Sequence, residues 1–244
     1  MKNISNLINK PYAHRGIFDN KSVPENSIKA FEIALKRNYN IELDVHLTRD
    51  KKIVVFHDHS LKRMCGINKR IEDCDYSELK KYKLLNTNYF IPLFSDVLKI
   101  INGKVNVLIE TKVKKYNGIL EYELSKILDK YNGIFLLQSF NYLSINWFKK
   151  HKSNYIVGVL ASAFKGKKIN LIYKIISKTL IFDKVLKADF ISYDIRNLPN
   201  KYVLRKRKEK PILGWTVKKD IELKSFTKYC DCLICEFDII ANLK

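Results

Sequence analysis

Nowhere in the 244-residue chain do about eighteen apolar residues run together, so no membrane-crossing helix is expected. Glycine and proline are scarce, at eight and five residues, which excludes collagen-like and low-complexity linker classes. With 46% hydrophobic residues the composition is that of a globular chain. The five cysteines are odd in number, and a chain of this length does not need a disulfide framework. Acidic residues are the minority, 25 against 46 Lys plus Arg, for a net charge of +21. The opening stretch MKNISNLINKPYAHRG has no continuous apolar segment and no small-residue cleavage site. No signal peptide is read there, and a cytoplasmic address is expected.

The excess of positive charge is scattered, with small clusters only at KGKK (165–168) and RKRKEK (205–210). A nucleic-acid surface needs a clustered basic face with groups that stack on or read bases, so no nucleic-acid partner is expected. The charge reads as solvated surface that also steers an anionic small-molecule substrate. In CDCLIC, Cys230 and Cys232 alternate along an apolar run that ends at Cys235. That is the pattern of a strand with buried thiols. No second Cys/His pair stands nearby to complete a four-ligand zinc site.

What the chain has in abundance is alternation. Strand-like runs PYAHRG, NIELDVHL, VNVLIETK, GIFLLQSF, NYIVGVLAS, DFISYDI, PILGWTV and CDCLICEF are separated by helical patterns at 26–38, 118–131, 142–151, within 169–187, at 200–208 and at 220–229. KKIVVFHD reads as an extension of the second unit, and 60–104 as an irregular excursion of short helices. Eight parallel βα units in one domain spanning 1–244 predict a closed (β/α)8 TIM barrel with a short insertion after the second strand. An open doubly wound sheet is the alternative, but its glycine-rich phosphate turn is missing.

A barrel of this kind keeps its active site at the C-terminal ends of the strands. Polar residues gather at those ends: His14 and Arg15, Glu42 and Asp44, His57 and Asp58, Glu110 and Lys112, Gln138, Trp215. Glu42 and Asp44 lie two apart on a strand and so face the same way. Two neighbouring carboxylates repel unless a cation lies between them. With Glu110 they make an all-oxygen set, which suits Mg²⁺ or Ca²⁺ better than zinc. Pairing of Glu110 with Lys112 or Arg15 is the plainer alternative. His14 and His57 are suited to proton transfer near neutrality. Arg15 and Lys112 suit a phosphate. Together these parts match metal-assisted phosphoryl transfer.

HRG (14–16), PENS (24–27), IELDVHLTRD (41–50), VVFHD (54–58), IETK (109–112), QSF (138–140) and WTV (215–217) occur in this order. They resemble the glycerophosphodiester phosphodiesterase family over residues 12–237. The resemblance implies a TIM barrel with a small insertion. It implies hydrolysis of glycerophosphodiesters to glycerol 3-phosphate and an alcohol. It further implies His14 and His57 as the acid/base pair, Glu42, Asp44 and Glu110 as metal ligands, and Arg15 and Lys112 on the phosphate. Glu25 and Asn26 would support His14 and the metal shell, with Asp58, Gln138 and Trp215 beside them. In the family the substrate's own glycerol hydroxyl attacks phosphorus, giving a cyclic phosphate that water opens. Lys218, Cys232 and Glu236 depart from the family's usual Asn, Gly and Asp, which leaves substrate preference open. A lysophospholipase D-like activity on the same machinery is the alternative, and its sign would be an apolar mouth. Finally, residues 165–187 are read either as an ordinary outer helix with lysines in water or as a basic amphipathic segment in weak contact with an anionic membrane.

Overall fold

Alternation along the second strand sets the plan of the molecule. Ile41, Leu43 and Val45 join the large apolar core shared with the helices. The residues between them, Glu42, Asp44 and His46, take the opposite face and are buried inside the barrel. The protein is described by a computed structural model covering residues 4–218 and 226–236. In chain order the strands are β1 (Tyr12–Ala13), β2 (Asn40–Leu47), β3 (Ile53–Val55), β4 (Val107–Thr111), β5 (Phe135–Ser139), β6 (Val157–Ala161), β7 (Phe190–Asp194), β8 (Ile212–Val217) and β9 (Cys232–Cys235). The hydrogen-bonded order β1-β9-β8-β7-β6-β5-β4-β2 closes where β1 pairs with β2, a ring of eight parallel strands. The chain is therefore a (β/α)8 barrel. β3 lies outside the ring, antiparallel to the end of β2, with Val45 opposite Val55.

The helices are α1 (Ile28–Lys36), α2 (Lys62–Cys65), α3 (Tyr76–Leu79), α4 (Phe94–Ile101), α5 (Ile119–Leu128), α6 (Tyr142–His151), α7 (Leu171–Thr179), α8 (Asp183–Leu186) and α9 (Lys201–Arg207). Several start on a side-chain cap. Ser27 Oγ accepts from Ala30 N at the head of α1, and Asn141 Oδ1 accepts from Leu143 N at the head of α6. Their apolar faces pack on the outward residues of the strands. Burying one such aliphatic side chain contributes about 1.5–3 kcal/mol.

The barrel interior is graded. At its N-terminal end Tyr12, Leu108, Leu136, Phe190, Leu213 and Cys232 form an apolar plug capped by Ile4. Gly158 makes room for it: a Cβ there would stand 2.3 Å from the Phe190 ring. Towards the C-terminal end the inward positions turn polar. Burial of uncharged groups at one end thus leaves the other free for charge.

The stretch expected to be irregular, 60–104, divides in two. Leu61, Met64, Ile71, Cys74, Leu79, Leu84 and Ile91 form a separate small core around α2 and α3. Helix α4 instead sends Phe94, Val97, Leu98 and Ile101 into the barrel core and serves as the outer helix of the second unit. The helical pattern at 169–187 breaks into α7 and α8 because Leu180 adopts a left-handed backbone, φ 56°. Most of the helix expected at 220–229 lies outside the described residues.

The first strand is shorter than the PYAHRG pattern suggests. Arg15 and Gly16 both turn left-handed, φ 57° and 80°, and end it after two residues. At Gly16 a Cβ would lie 2.9 Å from the backbone and Cβ of Ala30. Gly16→Ala is therefore expected to lose about 1–3 kcal/mol of stability. Urea unfolding followed by circular dichroism measures it, and an unchanged midpoint would contradict the account of this turn.

Candidate active site

The turn at Arg15 and Gly16 reverses the chain over the barrel mouth, and the backbone N–H of Arg15 donates to Glu42 Oε2 at 3.0 Å. A cavity of about 90 Å³ opens there, lined among others by His14, Arg15, Glu42, His57, Glu110, Lys112, Gln138 and Trp215. Asp44, Glu25, Asn26 and Asp58 stand behind these groups and hold them. A larger groove of about 720 Å³ lies between α4 and α5 on the outer wall and has none of these side chains.

Glu42, Asp44 and Glu110 offer oxygens within 4.8 Å of one another, and all three residues are buried. Burial, then the charges of Asp44 and Glu110, pushes the Glu42 carboxyl well above its ordinary range. Burial also raises Glu110, against the pull of Lys112. Asp44 goes the other way. Burial would raise it, but Lys112, His57 and Arg15 outweigh that and keep it ionised. The counter-charges are close: Lys112 Nζ lies 2.9 Å from Asp44 Oδ1 and 2.6 Å from Glu110 Oε1. Arg15 Nε lies 3.4 Å from Asp44 Oδ2. Asn26, itself left-handed at φ 57°, donates from Nδ2 to Asp44 Oδ2 at 2.9 Å. An all-oxygen, buried and mutually repelling trio is a donor set that fits a hard divalent cation.

The two histidines differ. Burial, then the adjacent Arg15 charge, pushes the His14 imidazole down to about 4, so it is neutral at physiological pH. Its Nδ1 stands 3.8 Å from Glu236 Oε1, and the same oxygen lies 3.0 Å from Lys218 Nζ. Two of the positions that depart from the family pattern thus answer each other beside His14. His57 is oriented by its neighbour, with Nδ1 2.5 Å from Asp58 Oδ1. His46 is buried below it, its Nε2 3.2 Å from the His57 carbonyl oxygen, and its ring meets His59 edge-on. Gln138 faces inward, and its Oε1 accepts from Ser192 Oγ at 2.6 Å. His151 lies on an exposed helix end, stacked on Trp147, away from the mouth.

One wall of the mouth is aromatic. Trp215 meets Phe140 edge-on at 5.6 Å, Phe140 meets Phe164 at 5.8 Å, and Phe164 meets Tyr173 at 5.9 Å. Trp215 Nε1 is buried with no hydrogen-bond partner among the described residues.

A parallel barrel with carboxylates, histidines and two fixed cations at its C-terminal mouth is the frame of a phosphoester-handling enzyme class. The model of the glycerophosphoryl diester phosphodiesterase family matches residues 14–236, and the chain belongs to that family. It is 34% identical to a glycerophosphodiester phosphodiesterase of Caldanaerobacter subterraneus over 160 residues, 61% of this chain and 65% of the relative. It is 31% identical to a human lysophospholipase D over 140 residues, 52% of this chain and 43% of the relative. The chain spans less than two thirds of the length of these curated relatives. Among solved structures, an Oleispira antarctica phosphodiesterase in complex with the product sn-glycerol-3-phosphate superposes with a TM-score of 0.81 at 18% identity, covering 97% of each chain. A glycerophosphodiester phosphodiesterase of Parabacteroides distasonis gives 0.75 at 22% identity, covering 96% of this chain and 97% of that one. At these identities the structures share the fold.

Sequence reading missed one residue, Arg63 of α2. Its guanidinium donates to both carboxylates of the mouth's outer support: Nη2 to Glu25 Oε1 at 2.7 Å, and Nε to Asp58 Oδ2 at 2.6 Å. Glu25 does not reach His14. It holds Arg63 and also Arg15, whose Nη1 donates to it at 2.8 Å. Only its place in a charged helix of the insertion, KRMC, hinted at Arg63. Burial would raise Glu25, but Arg63 and Arg15 outweigh it and hold the carboxyl at about 2. A depressed acid stabilises the fold above its ordinary pKa and loses that contribution as pH falls towards the folded value. Here the window runs from the ordinary value of 4.5 down to about 2. Arg63→Gln is expected to move acid unfolding to higher pH, with little change in stability between the variants' curves at neutral pH beyond a constant offset. Fluorescence-monitored acid titration checks it; superimposable curves would refute the clamp.

Proposed function

We propose that the protein hydrolyses glycerophosphodiesters to glycerol 3-phosphate and an alcohol. The observation that carries this reading is the meeting of two histidines, three carboxylates, Arg15 and Lys112 around one small cavity. Membership of the family supports it, as does the product bound in the Oleispira neighbour. The substrate is a small molecule. The dispersed basic charge favours no nucleic acid, and five free thiols suit a reducing, cytoplasmic setting.

Each residue's part follows from its surroundings. Arg15 and Lys112 take the phosphate's charge, and their own pairing with Asp44 keeps them in place. His14, neutral at working pH, accepts the proton of the substrate's glycerol hydroxyl as that oxygen bonds to phosphorus. His57 gives its proton to the departing alcohol oxygen as the P–O bond breaks. Asp58 fixes the ring through its contact with Nδ1. In the second half-reaction water opens the cyclic phosphate, His57 takes the water's proton and His14 returns its own to the glycerol oxygen. Both histidines end as they began, and no covalent enzyme intermediate forms. Glu42, Asp44 and Glu110 would hold Mg²⁺ or Ca²⁺, which when bound supplies positive charge to the phosphoryl oxygens. Trp215 Nε1 offers its spare donor to a substrate oxygen. The aromatic wall from Trp215 to Tyr173 favours a second reading, in which lysophospholipids with an acyl chain against Phe140 and Phe164 are also cleaved.

His14→Ala and His57→Ala are each expected to lower kcat by about 10²–10⁴ with the fold intact. Alcohol release from a panel of glycerophosphodiesters measures it; wild-type kcat in either variant removes that residue from the reaction. Chelation is expected to abolish turnover, with Mg²⁺ or Ca²⁺ restoring it better than Zn²⁺. In a thermal melt the same ions should raise Tm of the wild type and leave Glu42→Gln unmoved. Full activity of metal-stripped protein, verified by elemental analysis, would rule out an essential ion.

A further inference from the structure

The loop after β6 and the helices that follow it leave an apolar face in water. Leu171, Ile172 and Ile175 of α7 are 69%, 68% and 51% exposed, and Ile181, Phe182 and Val185 around α8 are 64%, 42% and 75% exposed. The first trio follows the spacing i, i+1, i+4, which puts it on one side of α7, while Ile181 and Phe182 lie in the turn that leads into α8. The opposite side is the anchored one: Ser177, Leu180 and Leu186 are buried. Scattered exposed apolar residues are ordinary, whereas six of them within residues 171–185 mark a surface that something covers.

Charge says what covers it. Among residues 164–187 there are seven lysines, at 165, 167, 168, 174, 178, 184 and 187, and one acid, Asp183. Asp183 is turned away from the face and buried between Lys206 and Lys210, at 2.9 and 2.8 Å. Nothing acidic in the segment therefore offsets the lysines, and Lys165, Lys167 and Lys168 all stand exposed in the loop. Two copies of this face would set lysine against lysine, which argues against self-association. A purely electrostatic partner would leave the isoleucines in water. An apolar stripe rimmed by lysines matches one solvent boundary, the headgroup region of an anionic bilayer.

The face adjoins the mouth. It follows a strand's C-terminal end, where this fold places its site. Tyr173 Oη donates to the Phe140 carbonyl oxygen at 2.9 Å, and Phe140 lines the cavity with His14 and His57. We infer that residues 164–187 dock the barrel mouth on an anionic lipid surface, so that the enzyme works where phospholipid-derived diesters are released. Only that last clause rests on the hydrolase reading; the docking itself is measured without turnover.

The test uses the full chain and vesicles of phosphatidylglycerol mixed with phosphatidylcholine, or of phosphatidylcholine alone, at low and high salt. Wild type is expected to sediment with the anionic vesicles at low salt and to be released at high salt. The triple variant of Lys165, Lys167 and Lys168 to Gln should bind more weakly by about fivefold per lysine. The triple variant of Ile172, Ile175 and Ile181 to Ser should fail to bind even at low salt. Both variants should keep wild-type turnover of a soluble glycerophosphodiester. Negligible pelleting of wild type at low salt overturns the proposal, as does equal pelleting of all three proteins. So does a wild-type dimer in sedimentation velocity that the Ser variant dissolves, which would assign the face to a second copy. Pelleting as described with no turnover in any of the proteins would support docking and overturn the hydrolase reading.

Discussion

Three buried carboxylates that approach within 4.8 Å on β2 and β4 are the constraint from which the mouth of this barrel is built. Left alone, such a trio would exclude its own charge by taking up protons. Asp44 stays ionised because Lys112, Arg15 and Asn26 converge on it from three different segments of the chain. Each of those segments has a backbone feature that serves the meeting. Arg15 and Asn26 are left-handed, and Lys112 follows β4 on the same face as Glu110. The apolar plug at the other end confines the charge to the C-terminal side of the barrel.

Much of this was legible in the sequence because a strand converts residue parity into facing. Glu42 with Asp44, and Glu110 with Lys112, could be set in one interior from spacing alone. The eight-unit count likewise followed from alternation of strand and helix patterns. What stayed hidden depends on tertiary contacts. Nothing in PYAHRG says that the strand ends at Ala13, since the turn is stabilised by Asn26 N–H donating to the Arg15 carbonyl and by Glu42. Nothing in the stretch 60–104 shows that Phe94 packs in the barrel core while Ile91 packs in the insertion. Arg63 is one cation among 46 Lys and Arg, and only the fold sets it against Glu25 and Asp58.

The departures from the family pattern are similarly clarified by geometry. Read singly, Lys218 and Glu236 are two separate departures. In space they pair, and Glu236 gains His14 as a neighbour, the largest influence holding its carboxyl below the ordinary range. The Lys218 cation and the Glu236 carboxylate thus balance each other. Cys232 is explained by the plug, where a small apolar side chain packs against Leu213 and Ile234 rather than facing the site.

The small core under α2 and α3 has a bearing on how the molecule fails. Its nine buried residues are separate from the barrel core, yet α2 supplies the guanidinium that clamps Asp58, and Asp58 aims His57. Small cores open at lower free energy than large ones. The insertion therefore acts as a fuse: on warming, it can come loose while the eight strands still hold, taking the alignment of His57 with it. Heat inactivation would then precede the loss of secondary structure, and the temperature limit of the protein would be set by Leu79 and its neighbours rather than by the barrel.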